Sequence, residues 1–342
     1  MVVSRTRPKR PTQADVARLA QVSQAVVSYV LTGASAPPVA AATRQRVLAA
    51  MTELGYAPDN AARSLRTRKT FTIASIIPDI TNPFYPAFER GIQLGAEEEG
   101  YVLVVYNTDG DAEKEARCLR SVGEGRADGV VGVFFHHTAE DLRALVDRNV
   151  PVVRLEATAR EVGALPLDNI YVDNIAAARD AVAFLIARGH RRIGMIAGRG
   201  GPRQARVLGY RRALAEHGIA FEAGLIGDGD FRQGGGAEAM RTLLAATPRP
   251  TAVFAANDVM AMGALLALRE AGLRVPEEMA VVGFDDIPAA RLVHPPLTTV
   301  AQFPERLGRR AVELLLERLA GLAPEVGRSE AMPYELVVRA SA

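Results

Sequence analysis

Residues 12–31, TQADVARLAQVSQAVVSYVL, decide how the N-terminal part of this chain folds. Thr12 is suited to N-cap a first helix carrying Val16, Ala17 and Ala20 on one face, and Ser23 to N-cap a second carrying Val26, Val27, Val30 and Leu31. The small side chains of Ala17 and Ala20 let the helices cross closely, and Val22 in the turn fills the wedge between them. The second helix then turns Gln24, Ala25, Ser28 and Tyr29 outward as the base-reading candidates of a helix-turn-helix, with Thr12 and Ser23 counted among the DNA-contacting residues. A structural αα-hairpin carries the same local pattern, so the rest of the chain has to decide between the two.

Charge favours the first reading. The 342 residues sum to +2, yet residues 1–70 hold 11 Lys or Arg against Asp15, Glu53 and Asp59, which leaves 30 basic against 36 acidic residues in the remainder. A basic head on an acidic body suits a polyanion at one end only. Nearly half of the chain is apolar, enough for two or three compact units. The single cysteine, Cys118, permits no internal disulfide, and no run approaches the roughly 18 apolar residues of a membrane span. MVVSRTRPKRP is basic without the apolar core of an export signal, so a reducing cytoplasm is expected, with association to the nucleoid.

After a Gly/Pro loop, TRQRVLAAMTEL places Val47, Leu48, Met51 and Leu54 at helical spacing, and Gly55 ends that helix as a C-cap. Ala40 precedes it without a capping side chain, which costs about 1 kcal/mol. Pro58 and Asp59 punctuate the chain before NAARSLRTRKT, a small, basic segment too short to be helical alone in water. From Phe71 the pattern becomes strand and helix in alternation: FTIASIIP, VLVVYN, GVVGVFF and VPVVRL are short β-branched runs separated by segments of helical period. Alternation of this kind builds a parallel sheet with helices on both faces. The pattern restarts after Tyr171 with RRIGMIAG, a strand near Leu225, TAVFAA and MAVVGF, so two doubly wound units are expected. Leu297 to Gln302 would cross back, and the helix from Pro304 to Leu319 would return to the first unit.

These residues resemble the lac and purine repressor (LacI/GalR) family of bacterial transcription regulators along essentially the whole chain. The head resembles that family's T-x-x-D-V-A-x-x-A-x-V-S-x-x-x-V-S-x-V-L signature and GYAPDNAARSLRT its hinge. IIPDITNPFY, ARGHRRIGMIAG, ARVLGYRRAL, AANDVMAMGAL, VVGFDD and LTTVAQ resemble successive landmarks of its effector-binding core. The resemblance implies an α/β chain with an all-α helix-turn-helix head (1–57), a hinge helix and linker (58–70) and a core like a periplasmic binding protein (71–342). In that core the N-subdomain takes about 71–170 plus 302–330, and the C-subdomain about 171–301 plus 331–342. It further implies a homodimer on a near-palindromic operator, with affinity set by a small molecule and no cofactor.

In the hinge, Ala61, Ala62, Ser64 and Leu65 make a small-residue helix with one apolar wedge, flanked by Arg63, Arg66, Arg68 and Lys69 for phosphates. By resemblance, two such helices pair in the minor groove and the Leu65 side chains open a base step, offsetting unstacking with the contacts that bent DNA allows. An ordinary basic linker with an exposed leucine is the plainer alternative. Gln24 can bind adenine bidentately and Ala25 can meet a thymine methyl, but neither contact fixes a base sequence without a register.

In a two-unit α/β core a ligand sits between the units at the C-terminal ends of the strands. Asn82, Phe84, Tyr85, Glu156, Asp173, Arg206, Phe231, Asn257, Asp285 and Gln302 all fall there. By resemblance to ribose-type members, such a set supplies stacking aromatics and groups for hydroxyls, although Glu156-Ala157 stands where an Asp-Arg pair is usual, which weakens the match to ribose itself. Plainer roles remain open: Phe84 and Phe231 as core aromatics, Asp285 as a helix cap, Arg206 in a structural ion pair. With Glu156, Asp173 and Asp285 against Arg206 alone, the cleft is expected to be net acidic and to disfavour a phosphorylated ligand.

Enzyme readings lack their motifs. After Gly198 and Gly200 a dinucleotide fingerprint demands a glycine where Arg203 stands, His136-His137 lack a third metal ligand, and the two DGD runs lack the rest of a calcium loop. No Gly-x-Ser-x-Gly elbow occurs and Cys118 has no evident base. The expectation is therefore an effector-controlled repressor without catalysis. A solute-binding transport component would need an export signal and a sugar kinase a phosphate loop. No leucine heptad follows residue 320, against a zipper-made tetramer.

Overall fold

In the computed structural model, which describes residues 11–32, 37–57, 69–161 and 163–342, Thr12 begins helix α1 (Gln13–Leu19) with a reciprocal cap. Its Oγ1 accepts from the Asp15 N–H (3.4 Å) while the Asp15 carboxylate accepts from the Thr12 N–H (2.9 Å). The turn closes through Gln21 in the left-handed region (φ 53) and a 3.0 Å bond from Val22 N–H to the Ala17 carbonyl. Ser23 Oγ accepts from the Val26 N–H (3.3 Å) to start α2 (Gln24–Thr32). α3 (Ala41–Leu54) starts at Ala40 without a side-chain cap and ends on Gly55 at φ 62. Val16, Ala17, Ala20, Val27, Val30, Val47 and Ala50 form the core of this unit, with Val22, Leu31, Met51 and Leu54 packed against it. Leu48 is the exception to the expected face: it is 47% exposed, because the inward stripe of α3 passes through Val47 and Ala50 instead. The hinge candidates Arg63, Ser64, Leu65 and Arg66 lie outside the described residues.

The second unit, residues 71–342, holds two six-stranded sheets. The first half runs β1 (Thr72–Ile77), α4 (Phe84–Glu98), β2 (Val102–Asn107), α5 (Ala112–Ser121), β3 (Gly129–Gly132), α6 (Arg143–Val146), β4 (Val152–Glu156) and β5 (Asp168–Val172). The second runs α7 (Asn174–Ala187), β6 (Ile193–Ala197), α8 (Arg203–Glu216), β7 (Ile226–Asp228), α9 (Gln233–Leu244), β8 (Ala252–Ala255), α10 (Asp258–Glu270), β9 (Ala280–Asp285) and β10 (Thr298–Ala301). The chain then returns through α11 (Pro304–Leu319) and β11 (Ser329–Met332) and ends with β12 (Glu335–Val337).

The sheet orders are β11-β5-β4-β3-β1-β2, parallel throughout, and β12-β10-β9-β8-β6-β7, parallel except for the edge strand β12. Strands β1, β3, β6, β8 and β9 are buried almost end to end, as strands covered by helices on both faces must be. α11 seats on α4 through two glycines: a Cβ on Gly91 would strike the Glu305 carbonyl oxygen and one on Gly308 the Phe88 carbonyl oxygen, so neither position admits a larger residue. The expected divisions after residues 170 and 330 fall inside strands, since Tyr171 pairs with Glu156 and Met332 with Val172. Pairing carries the chain two residues further in the first sheet at both places. β5, β11 and β12 have no counterpart in the sequence reading; they are short and carry Asp, Asn, Ser or Glu where β-branched residues would signal a strand, and only β5 is buried while β11 and β12 stay partly exposed at the sheet edges.

Candidate effector cleft and DNA-reading face

On the head, Gln24, Ala25 and Tyr29 are exposed along α2 and Ser28 is half-buried. Thr12 and Ser23 are exposed at the starts of α1 and α2, where their hydroxyls are engaged in capping. These candidate positions thus lie on the outer side of a helix whose opposite side, Val27 and Val30, is locked into the core.

In the second unit a cavity of about 700 Å³ opens at the C-terminal ends of the strands. Asn82, Phe84, Tyr85, Glu156, Arg206, Phe231, Asn257, Asp285 and Gln302 all line it. Its most buried wall is a polar network. Arg206 on α8 (5% exposed) donates from Nε to Asn174 Oδ1 (2.7 Å), from Nη1 to the Ala256 carbonyl oxygen, and stands 3.8 Å from Asp285 Oδ1. Its guanidinium lies over the Phe284 ring at 3.8 Å. Asp285, at the end of β9, also accepts from Gln302 Nε2 (2.7 Å). Burial pushes the Asp285 carboxyl up to about 6, with Arg206 and Gln302 pulling the other way. Behind it Asp258, fully buried, accepts from the Ile287 N–H (2.9 Å) and Thr299 Oγ1 (2.5 Å), and burial holds its carboxyl well above the ordinary range.

The aromatic walls come from both halves. Phe84 and Tyr85 open α4 with rings 5.2 Å apart edge to face, and Phe84 also packs at 6.5 Å on Phe88, so it serves core and cavity together. Phe231 sits against Gly198, where no side chain would fit. Asn257 both lines the cavity and caps α10, Oδ1 accepting from the Met260 N–H (2.9 Å) and Nδ2 donating to the Phe231 carbonyl (3.0 Å). Asp109 (φ 55), Phe231 (φ 65) and Asp285 (φ 121) line the cavity with backbones in the region that side chains rarely adopt. Strain of this kind, about 1–3 kcal/mol per residue, persists where the surroundings dictate it, as in ligand clamps.

Two expectations need correction. Asp173 does not line the cavity: it is exposed and caps α7, accepting from the N–H groups of Ile175 (3.1 Å) and Ala176 (3.0 Å), and its neighbour Asn174 turns inward instead. A carboxylate directly before a helix is held by the free N–H groups of the first turn. The cleft is also not net acidic around a single cation. Arg160, Arg199, Arg203, Arg206 and Arg232 line it against Asp79, Asp109, Glu156, Asp230 and Asp285, so charge alone gives no ground for excluding a phosphorylated ligand. Glu156 itself is held by Arg154 (3.2 Å) and by Arg160 (3.0 Å), so an arginine does reach this carboxylate, from four residues along the chain. Residues missed by the sequence reading include Asn174, Phe135, His136 and Arg199; the last three follow strands β3 and β6 and were open to the same strand-end rule.

A helix-turn-helix head and a two-lobed α/β cleft define a DNA-binding regulator with a small-molecule pocket. Residues 12–59 match the bacterial regulatory proteins of the lacI family, and residues 182–342 match the periplasmic binding protein-like domain. The chain is 38% identical to the ribose operon repressor of Escherichia coli K12 over 97% of its own length and 99% of that protein's. It is 37% identical to the transcriptional repressor CytR of the same strain, over 96% of each chain. The lac repressor dimer bound to operator and the anti-inducer ONPF superposes with a TM-score of 0.85 at 29% identity, over 97% of this chain and 99% of that one. The chain belongs to the lacI family of bacterial regulatory proteins and is a ligand-controlled transcriptional repressor. No helix among the described residues is long and apolar enough to cross a membrane.

Proposed function

We propose that the chain acts as a cytoplasmic, nucleoid-associated homodimer on a near-palindromic operator, and that a neutral polyhydroxylated ring, a pentose first and a nucleoside next, sets its affinity. The observation that carries the effector class is the joining of three aromatics, Phe84, Tyr85 and Phe231, to a buried set of hydroxyl partners, Arg206, Asn257, Asp285 and Gln302, in one cavity. Flat apolar faces and fixed donors and acceptors are what a sugar ring requires. The Arg160–Glu156 pair at the cavity wall supports this reading, since a carboxylate and an arginine stand together there although Ala157 follows Glu156 in the chain. The similarity to a protein named as a ribose operon repressor agrees with this.

On the DNA side, Gln24, Ala25, Ser28 and Tyr29 read the major groove, Thr12 and Ser23 flank them, and Arg63, Ser64, Leu65 and Arg66 act in the minor groove. The reading assigns no catalytic step and no cofactor. Calorimetry with ribose, other pentoses, hexoses, nucleosides and a pentose phosphate tests it: saturable binding of a neutral sugar or nucleoside is expected, and tight binding of the phosphate alone would replace the proposed effector class.

A further inference from the structure

The segment after β3 is tied down more firmly than a surface loop needs to be. Glu115 on α5, fully buried, accepts from the N–H groups of Phe135 (3.0 Å) and His136 (3.2 Å) and from His137 Nδ1 (2.8 Å). His136 Nε2 reaches the Gly110 carbonyl oxygen at 2.9 Å. A buried carboxylate spent wholly on one loop fixes that loop's geometry, because each of these charge-assisted bonds resists displacement. What the clamp holds in place is the Phe135 ring. Phe135 belongs to the first half, yet its ring lies against the Gly200–Gly201 turn between β6 and α8 of the second: a Cβ on Gly201 would come within 2.5 Å of the ring and one on Gly200 within 3.5 Å. All three residues line the cavity. Another tie across the cleft, Arg232 to Asp79 at 3.5 Å, is a long, partly exposed ion pair of little weight.

We infer that Phe135 is a specificity-determining residue of the cleft: its ring bridges the two halves on the Gly200–Gly201 turn and bounds the size of effector that the cavity admits, with Glu115 as its positioning residue. The inference rests on the effector reading above for the ligand and on the geometry alone for the contact. In place, the ring closes that side of the cavity against the Gly200–Gly201 turn; removed, it opens the same side to a longer ligand, with the buried Arg206 and Asp285 untouched. Glu115 acts only through the loop, since it does not line the cavity.

Hydrogen exchange of the full chain without any ligand, followed by mass spectrometry, tests the contact. Residues 198–203 are expected to exchange at least tenfold faster in Phe135→Ala and severalfold faster in Glu115→Gln, with strand β8 unchanged in both; Phe135→Leu serves if the alanine variant does not fold. Unaltered exchange at 198–203 in the Phe135 variants overturns the bridge. Calorimetry with ribose and cellobiose then tests size selection: Phe135→Ala should move the affinity ratio at least tenfold toward cellobiose, and an equal change for both sugars overturns it. Failure of every sugar and nucleoside to bind the native chain overturns the effector reading, and the exchange result then decides the Phe135 contact by itself.

Discussion

The outer face of α2, the proposed DNA reader, and the Arg206–Asp285 wall of the cleft are built on opposite plans. Gln24, Ala25 and Tyr29 stand free on the surface of a helix held from behind by Val27 and Val30, while Arg206, Asn174, Asp285 and Gln302 are each at most 5% exposed and bonded to one another. Surface residues can change without disturbing the fold, so one head can be retuned to different DNA. A buried network cannot, because each group removed leaves a partner unsatisfied at about 1–3 kcal/mol. The contrast predicts how substitutions in the two places should differ.

The largest effect is expected at the wall. Asp285→Ala leaves the buried Arg206 without its carboxylate and Gln302 without its acceptor, and should lower stability by about 3 kcal/mol and abolish the ligand response. Asp285→Asn, which keeps an acceptor for Gln302, should recover most of the stability and little of the response; thermal melts with and without ribose measure both. A full ligand response in Asp285→Asn would remove the need for a charged group there.

Next comes pH. Glu89 on α4 is buried, bonded to Ser75 Oγ (2.7 Å) through one oxygen while the other has no hydrogen-bond partner among the described residues, and burial lifts its carboxyl from 4.5 to about 7. The folded chain therefore keeps a proton that the unfolded chain releases. Stability from this group is complete below about 4.5 and is lost as pH rises through about 7, at roughly 1.4 kcal/mol per pH unit within that window. Glu89→Gln should flatten denaturant-derived stability across it; an unchanged slope would show that the carboxyl is better solvated than its surroundings indicate.

Smaller effects belong to the DNA side. Gln24→Ala should cost about 1–3 kcal/mol on a selected DNA site, nothing beyond about 0.5 kcal/mol in the stability of the fold, and little on random DNA. Leu65→Ala should reduce selectivity, whereas Arg66→Ala should weaken both kinds of DNA and lower the salt slope by about 0.9. Gel shifts at several salt concentrations separate these outcomes. At the small end, Ala40→Ser supplies the absent α3 cap and should raise stability by about 1 kcal/mol, read from a thermal melt.

The same contrast explains what could be read from sequence. The helix-turn-helix announced itself because caps and apolar spacing are local: Thr12, Ser23 and Gly55 each act within a few residues. The strands of the core were equally visible where they are buried on both faces, as in β1 and β8, and invisible where pairing buries polar residues, as in β5, or where a short polar strand forms a half-exposed edge, as in β11. In the cleft, strand-end position found Asp285 and Asn257 but misplaced Asp173 by one residue, since which of two neighbours caps and which turns inward depends on the helix that follows. The arginines of the mouth were missed for a different reason. Arg160 and Arg232 reach the cavity from loops, and nothing local in the sequence says where such loops return.

The measurement that bears most directly on control of DNA binding by the cleft is fluorescence anisotropy on a duplex selected by the native chain from a random pool, titrated with and without ribose or the best-binding nucleoside. The native chain should change its affinity at least tenfold when the ligand is added, and Asp285→Asn should show the same basal affinity with no ligand-dependent change. A native chain that binds ligand by calorimetry and holds the duplex with equal affinity in both conditions would contradict it.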